Sequence, residues 1–461
     1  MSSASLKSGL LALCASVCLS ACATPQGFTS GVVMDLAPTF VPEKWEAGDK
    51  VEVAADPVNW LLQLNDPALS ALVIEAQSAS PDMQKLRARL DRAEALTRRA
   101  KSGLRPSVNG SVGATRTDAV EGADRSSAAL NAGLDVSWAP DLWGRTGAEV
   151  DAAAFDMRAS RFDLEAGQKL LTASIAEAWF VAIEARLLYE VSETNLAALE
   201  RTLGFVTVQY DRGLRSGQDI ALIRADVASS RAFVERARGS SRDALRALEV
   251  LVGRYPDTDR DLPAVLPNVP GLAVAGQPAE LLNARPDLKA ARARVNAAAS
   301  RAGSAEAARL PTLTLSGVIG GSSNGLGSLL DPASLATTLL ANLAAPIVDG
   351  GARQADIDIA QADVDTAMAD YRALALDAYG DVERQLDEDA VLRLQETELT
   401  QALSNARDAL KFTQFRYESG ENDLLNVLSV QQRVNFTEGQ LVSVRRARLV
   451  QYIDLALATG Y

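Results

Sequence analysis

The side chains with reactive potential are few. Three cysteines, Cys14, Cys18 and Cys22, sit close together near the start, and the 461-residue chain has no histidine. Without histidine there is no Ser-His-Asp triad, no Cys-His dyad and no His-ligated zinc, and no side chain whose ordinary pKa lies near neutrality. The densest acidic run, Asp387-Glu388-Asp389, falls in a helical surface pattern. No Gly-rich phosphate loop or metal-ligand spacing accompanies it, so it reads as a solvated face. A net charge of −13 argues against nucleic acid as a partner. The expectation is a protein that is not an enzyme and holds no cofactor or metal beyond a covalent lipid.

That lipid follows from how Cys22 is placed. Lys7 precedes an apolar run from Leu10 to Leu19, too short to span a bilayer and suited to a secretory signal. The run ends in Leu19-Ser20-Ala21-Cys22, which resembles a lipobox, the motif whose cysteine is acylated and becomes the mature N-terminus. Cys14 and Cys18 then leave with residues 1–21, and no free thiol remains. By the same resemblance, Ala23 after the cysteine favours the outer membrane. No other segment reads as a transmembrane helix, so any spanning part is β-structure.

Proline marks the larger organisation, because it breaks helix interiors. Residues 141–255 and 347–461 are proline-free runs of equal length, 115 residues each. Pro81-Asp82, Arg87-Ala88-Arg89 and Pro106 recur 205 positions later as Pro286-Asp287, Arg292-Ala293-Arg294 and Pro311. Tyr210, Gly213 and Gly253 recur 207 positions later as Tyr417, Gly420 and Gly460. These matches predict two internal repeats, 65–255 and 278–461. An N-terminal segment, 22–64, precedes them, and a Pro-rich linker, 256–277, joins them.

Each half begins with an Ala- and Arg-rich helix, 80–104 or 285–309, and continues into alternating residues. Leu130, Ala132, Leu134, Val136 and Trp138 share one face of a strand, opposite Asn131, Gly133, Asp135 and Ser137. Val108, Val112 and Ala114 oppose Ser107, Asn109 and Ser111; Leu313, Leu315 and Ile319 oppose Thr312, Thr314 and Ser316. A fourth strand, 336–345, is mostly apolar. One apolar and one polar face suit a strand between lipid and a watery lumen, and equally four strands of a soluble sheet. Polar loops are predicted at 115–127 and 320–334. If the strands are in membrane, four cannot close a barrel, since the smallest use about eight. Copies must pool strands, and three would supply about twelve, an allowed even number; two or four copies would also close.

The proline-free runs predict coiled coil. Ile175, Ala182, Tyr189, Leu196, Leu203 and Tyr210 recur every seven residues, beside Leu171, Ala178, Ala185, Leu199 and Val206. Leu399, Leu403, Ala406, Leu410 and Tyr417 repeat the seam in part, with Asp389 and Glu396 interrupting it. A helix over 147–211 would be about 100 Å long. Gly-rich turns at 212–217 and 418–422 then fold it back onto helices at 219–252 and 423–458.

Duplicated halves, two strands per half, long hairpins and an acylated N-terminus together resemble the outer membrane factor family, the TolC-like channels, closest to the NodT-type efflux lipoproteins. Local motifs agree over about 55–461: Trp60 with Asp66-Pro67-Ala68-Leu69, Arg285-Pro286-Asp287-Leu288 through Leu310-Pro311-Thr312-Leu313, Pro346 to Gly351, Asp141-Leu142-Trp143-Gly144-Arg145, and Arg416-Tyr417 with Gly420. The resemblance implies a mainly helical homotrimer with membrane β-structure. Its twelve-stranded barrel, four strands per protomer, would continue into a coiled-coil periplasmic barrel. It implies the exit duct of a tripartite efflux pump, with a periplasmic adaptor and an inner-membrane RND-type transporter. A type I protein-secretion duct and a periplasmic coiled-coil scaffold lipoprotein remain alternatives. Arg212, Gly213, Leu214, Gly420 and Glu421 fall where the family meets its adaptor, and are equally ordinary turn residues. Family members narrow the periplasmic tip with an apolar residue and a carboxylate one turn on. Here the apolar position is Leu425, while the acidic position falls on Ser429 and the basic one on Gln432. Asp423 is the nearest acid, so a gate closed by packing of Leu425 is expected; Leu425 as coiled-coil core is the other reading.

Overall fold

The computed structural model describes residues 42, 44–47, 60–117, 127–270, 278–324, 331 and 335–460. In chain order these form α1 (Trp60–Gln63), α2 (Pro67–Ala79), α3 (Pro81–Ser102), β1 (Ser107–Thr117), β2 (Ser127–Trp138), α4 (Arg145–Asp211) and α5 (Gly217–Val252). There follow α6 (Pro278–Ala284), α7 (Pro286–Ala307), β3 (Thr312–Ser323), β4 (Leu335–Ala344), α8 (Ala352–Glu418) and α9 (Leu424–Thr459). Lengths match between halves: 22 residues in α3 and α7, 67 in α4 and α8, 36 in α5 and α9. The chain divides into two compact units, one of Arg89–Arg161 with Ala290–Ala373, the other of Thr39–Ala88, Phe162–Lys289 and Leu374–Tyr461.

In the first unit the four strands form one antiparallel sheet, in the order β1-β2-β3-β4. Register makes the alternation of each strand continuous across the sheet. Val108 pairs with Val136, Val112 with Ala132, Leu134 with Ile319, and Leu313 with Leu343. The opposite face pairs Asn109 with Asp135 and Ser137 with Ser316. The weakly patterned β4 joins the same scheme: Leu335, Leu339 and Leu343 fall on the apolar face, while Leu340 pairs with Ser316 on the other. The strands run further than the alternation suggested. Residues 115–117 and 320–323, expected in loops, belong to β1 and β3, because the partner backbone supplies hydrogen bonds that Gly- and Ser-rich composition alone does not demand. Residue 127, also expected in a loop, begins β2, and residues 118–126, 325–330 and 332–334 of those predicted loops lie outside the described residues.

Asp141 and Asp349 start the two longest helices. Asp141 accepts from the Thr146 and Gly147 N–H groups at 3.2 and 2.6 Å. Asp349 accepts from Gly351 and Arg353 at 3.0 and 3.3 Å, and these bonds hold its carboxyl below the usual range. Each satisfies N–H groups that a helix start leaves unpaired. Trp143 donates its indole N–H to the Pro311 carbonyl at 2.6 Å, tying the segment after β2 to the one before β3.

The second unit is built on a helical core. Ile175, Trp179, Phe180 and Ile183 of α4 pack with Leu69, Leu72 and Ala76 of α2, Leu248 of α5, and Leu449 and Ile453 of α9. Asp66 links two levels of this structure. Its side chain caps α2 through the Ala68 and Leu69 N–H groups and accepts the Trp179 indole N–H at 2.8 Å. Leu262, Leu266 and Val269, within the Pro-rich stretch read as a linker, pack against the same core. The charged interruptions of the second seam are paired. Asp389 is buried and bound by Arg393. Glu396 accepts from Arg445 and Arg448 at 2.9 and 2.5 Å; burial pushes its carboxyl up, but these bonds outweigh it and hold it low.

Candidate functional site

The helical hairpin turns lie in the second unit, and the sequence explains both. Gly213 and Gly420 have φ of 75° and 80°, the left-handed region that a side chain disfavours. In each turn the next N–H reaches back to the helix: Leu214 to the Gln209 carbonyl at 2.9 Å, Glu421 to that of Arg416 at 2.8 Å. This closes the carbonyls left open at a helix end. Ser216 and Asp219 form a reciprocal capping box at the start of α5. Asp423 caps α9, accepting from the Asn426 N–H at 3.0 Å.

Below the turns, Leu199, Val206, Ile220, Ile223 and Val227 of the first hairpin cluster with Tyr417, Leu424, Val427 and Leu428 of the second. Arg215 fastens the two turns. Its guanidinium lies 4.3 Å from the centre of the Tyr417 ring and donates to the Tyr417 carbonyl at 3.3 Å and to Gln209 Oε1 at 2.9 Å. Phe205 meets the same ring edge-on at 5.8 Å. Sequence reasoning missed Arg215: the matching position of the second half is Asn422, so the repeat gives no signal for it.

Of the residues singled out at the tips, Arg212, Gly213, Leu214, Gly420 and Glu421 are all exposed. Leu425 is 52% exposed beside Leu424 at 1%, so within one chain it is a surface residue rather than coiled-coil core. Ser429, also exposed, donates its hydroxyl to the Asn426 carbonyl at 3.0 Å. The Asp423 carboxylate is engaged in its cap. The turns therefore present an apolar side chain and backbone, with no free acid at the position Ser429 occupies. Cys22 lies outside the described residues.

One titratable pair stands apart from the tips. Glu177 of α4 and Asp454 of α9 are half-buried and hydrogen-bonded to each other. Burial, then the charge and hydrogen bond of Asp454, push the Glu177 carboxyl up to about 7, against the pull of Arg446. Between about 4.5 and 7 the folded chain holds a proton that the unfolded chain has released, so stability falls as pH rises through that window. Thermal melts from pH 5 to 8 should show this decline, with a slope below about one proton. Glu177→Gln should flatten it; an unchanged slope would count against the pair.

Among the described residues no group of three or more His, Cys, Asp or Glu could hold a metal ion, and no helix is long and apolar enough to cross a membrane. What the fold offers is a sheet with one continuous apolar face and two long hairpins ending in paired turns. This is the architecture of outer-membrane channels. The family model described as outer membrane efflux protein matches residues 72–254 and 278–461, and the chain belongs to that family. The Pseudomonas aeruginosa pyoverdine export outer membrane protein OpmQ is 28% identical over 477 residues, covering 96% of this chain and 94% of that protein. Outer membrane protein OprJ of the same species is 26% identical over 446 residues, covering 92% of each. The solved outer-membrane channel OprN superposes with a TM-score of 0.84 at 23% identity, over 92% of this chain and 97% of that one. The chain is an outer membrane efflux channel.

Proposed function

We propose that three copies of the chain close one twelve-stranded barrel, four strands from each, continuous with a coiled-coil periplasmic tunnel. The duct exports small molecules delivered by a periplasmic adaptor and an inner-membrane RND-type transporter. The observation that carries this is the sheet. Val112 and Leu339 are 85% and 84% exposed on its apolar face, and among the described residues β1 and β4 each keep an unpaired edge. Exposed leucine and valine on one face fit lipid, and an open edge in lipid leaves N–H and C=O groups unsatisfied until another copy pairs with it. The matched lengths of α3 and α7, α4 and α8, α5 and α9 support two internal repeats, 65–255 and 278–461, joined through 256–277. Acylation of Cys22 after removal of residues 1–21 anchors the segment 22–64 in the same membrane. Arg212, Gly213, Leu214, Gly420 and Glu421 meet the adaptor, where left-handed turns expose backbone to a partner. Leu425, flanked by Asp423 and Ser429, narrows the tip by packing.

Native mass spectrometry and planar-bilayer recording of the detergent-extracted protein test this together. A trimer mass with discrete conductance steps is expected, with one acylated cysteine per chain. A monomer without conductance would overturn the barrel reading.

A further inference from the structure

We propose that the outer faces of α3 and α8 are two halves of one acid–base seam, through which α8 of each copy of the chain packs against α3 of the next. This rests on the oligomeric reading above and assigns the residues that make the contact.

The starting point is an inequality between equivalent helices. In the first unit α7 is covered on two sides. Towards α4, Arg301 pairs with Asp156, and the Ser304 hydroxyl meets Glu149 Oε1 at 3.2 Å. Towards α8, Ala298 and Ala302 pack with Val364, flanked by Ala360, Ala367 and Met368. Its counterpart α3 is covered on one side. Ala93 and Thr97 face α4, where the Thr97 hydroxyl reaches the Ala153 carbonyl at 3.0 Å. Arg89, Arg92, Leu96, Arg98 and Arg99 are exposed, and none of these arginines has an ion pair among the described residues.

The outer face of α8 carries the opposite charge. Asp356, Asp363 and Asp370 recur every seven residues, so they line one side of the helix. All three are exposed, none has an ion pair among the described residues, and Ile359 between them is 61% exposed. Their equivalents in α4, 207 positions earlier, are Glu149, Asp156 and Asp163. Glu149 and Asp156 are the side chains that meet α7. The acids of α8 should therefore meet the equivalent of α7, which is α3. The α3 of the same chain is engaged with α4, and a second copy supplies the missing one.

Carrying the α4–α7 contacts across by the two offsets gives the register. The Ser304–Glu149 contact becomes Arg99 against Asp356. The Arg301–Asp156 contact becomes Leu96 beside Asp363, with Arg92 and Arg99 a turn to either side. The antiparallel run then brings Arg89 towards Asp370. Single exposed pairs contribute little stability, but a complementary seam sets orientation. Repeated head to tail, the contact joins acid to base at every interface and generates a ring where the rotation closes.

The test uses the full chain extracted from membranes in detergent. Arg92→Glu with Arg99→Glu, and separately Asp356→Arg with Asp363→Arg, should each strongly reduce the oligomer seen by native mass spectrometry. Combining all four should restore it. Independently, Arg99→Cys with Asp356→Cys should give, on mild oxidation, covalent products of two and three chains. These form only if the Cα atoms approach within about 7 Å. A wild type that is monomeric defeats the oligomeric reading itself. A wild-type oligomer that survives both reversals, with no cross-linked product, overturns the seam and leaves barrel closure standing. If the reversed chains fail to accumulate, the cysteine pair decides.

Discussion

Leu425→Ala is expected to raise single-channel conductance severalfold without unfolding the protein. The physical case is the contrast between adjacent residues. Leu424, Val427 and Leu428 are 1%, 3% and 6% exposed and hold α9 to the other hairpin. Leu425 points away from that cluster, so truncating it removes little packing within a chain; surface substitutions of this kind usually cost within about 0.5 kcal/mol. In the proposed trimer three such leucines would converge in an apolar constriction that resists wetting, and alanine would both widen and wet it. Leu424→Ala is the matched control. It empties a core position at a cost of roughly 2–5 kcal/mol, and should lower thermal stability rather than open the pore. Planar-bilayer recording with parallel melts separates the two. Unchanged conductance in a folded Leu425→Ala channel would remove Leu425 from the gate.

The second large effect is placed in the sheet. Gly320→Val should prevent assembly of the proposed barrel, while Gly113→Ala should leave it intact. Gly320 pairs with Gly133 across β2 and β3. A Cβ on Gly320 would lie 2.8 Å from the Ala132 carbonyl oxygen and 3.1 Å from the Gly133 Cα, both backbone atoms that cannot yield without parting the strands. A Cβ on Gly133 would approach nothing closer than 3.4 Å, and one on Gly113 would meet nothing within 4 Å. The order of damage should therefore be Gly320→Val, then Gly133→Ala, then Gly113→Ala. It can be read as the fraction of protein migrating as oligomer on semi-native gels. Equal assembly of all three would show that the strands separate more easily than this geometry allows.

Much of this was legible beforehand because its causes are local or periodic. Alternation of two marked β1, β2 and β3, since each strand's faces are read from its own residues. The hairpin turns were legible through Gly213 and Gly420, whose positive φ only glycine adopts at little cost. Strand ends were less legible: Gly320 to Ser323 have loop composition and are held in β3 by pairing with Leu130 to Gly133. For β4, which leucine faces which side became definite only when Ser316 was placed opposite Leu340.

The candidate tip divides along the same line. Leu425 could be found by counting from Gly420, but its exposure could not, because Leu424 and Leu425 are indistinguishable as adjacent leucines. Asp423 read as the nearest acid for a latch, and its carboxylate proves to be a helix cap. Arg215 on Tyr417, Glu177 beside Asp454, and Glu396 between Arg445 and Arg448 join residues from different segments. No repeat or period predicts such pairs.

The sequence alone determined the element order, the duplicated lengths, the apolar face of three strands and the family. These follow from backbone constraints of proline and glycine and from hydrophobic period, which act within one segment. Tertiary structure decided what depends on a partner. It set the common register of four strands, sent Leu425 outward, gave Glu396 its arginines from another helix, and left Arg89, Arg92 and Arg99 of α3 and Asp356, Asp363 and Asp370 of α8 without an ion pair among the described residues. Burial and pairing belong to two segments at once, and a single segment's sequence specifies only its own half.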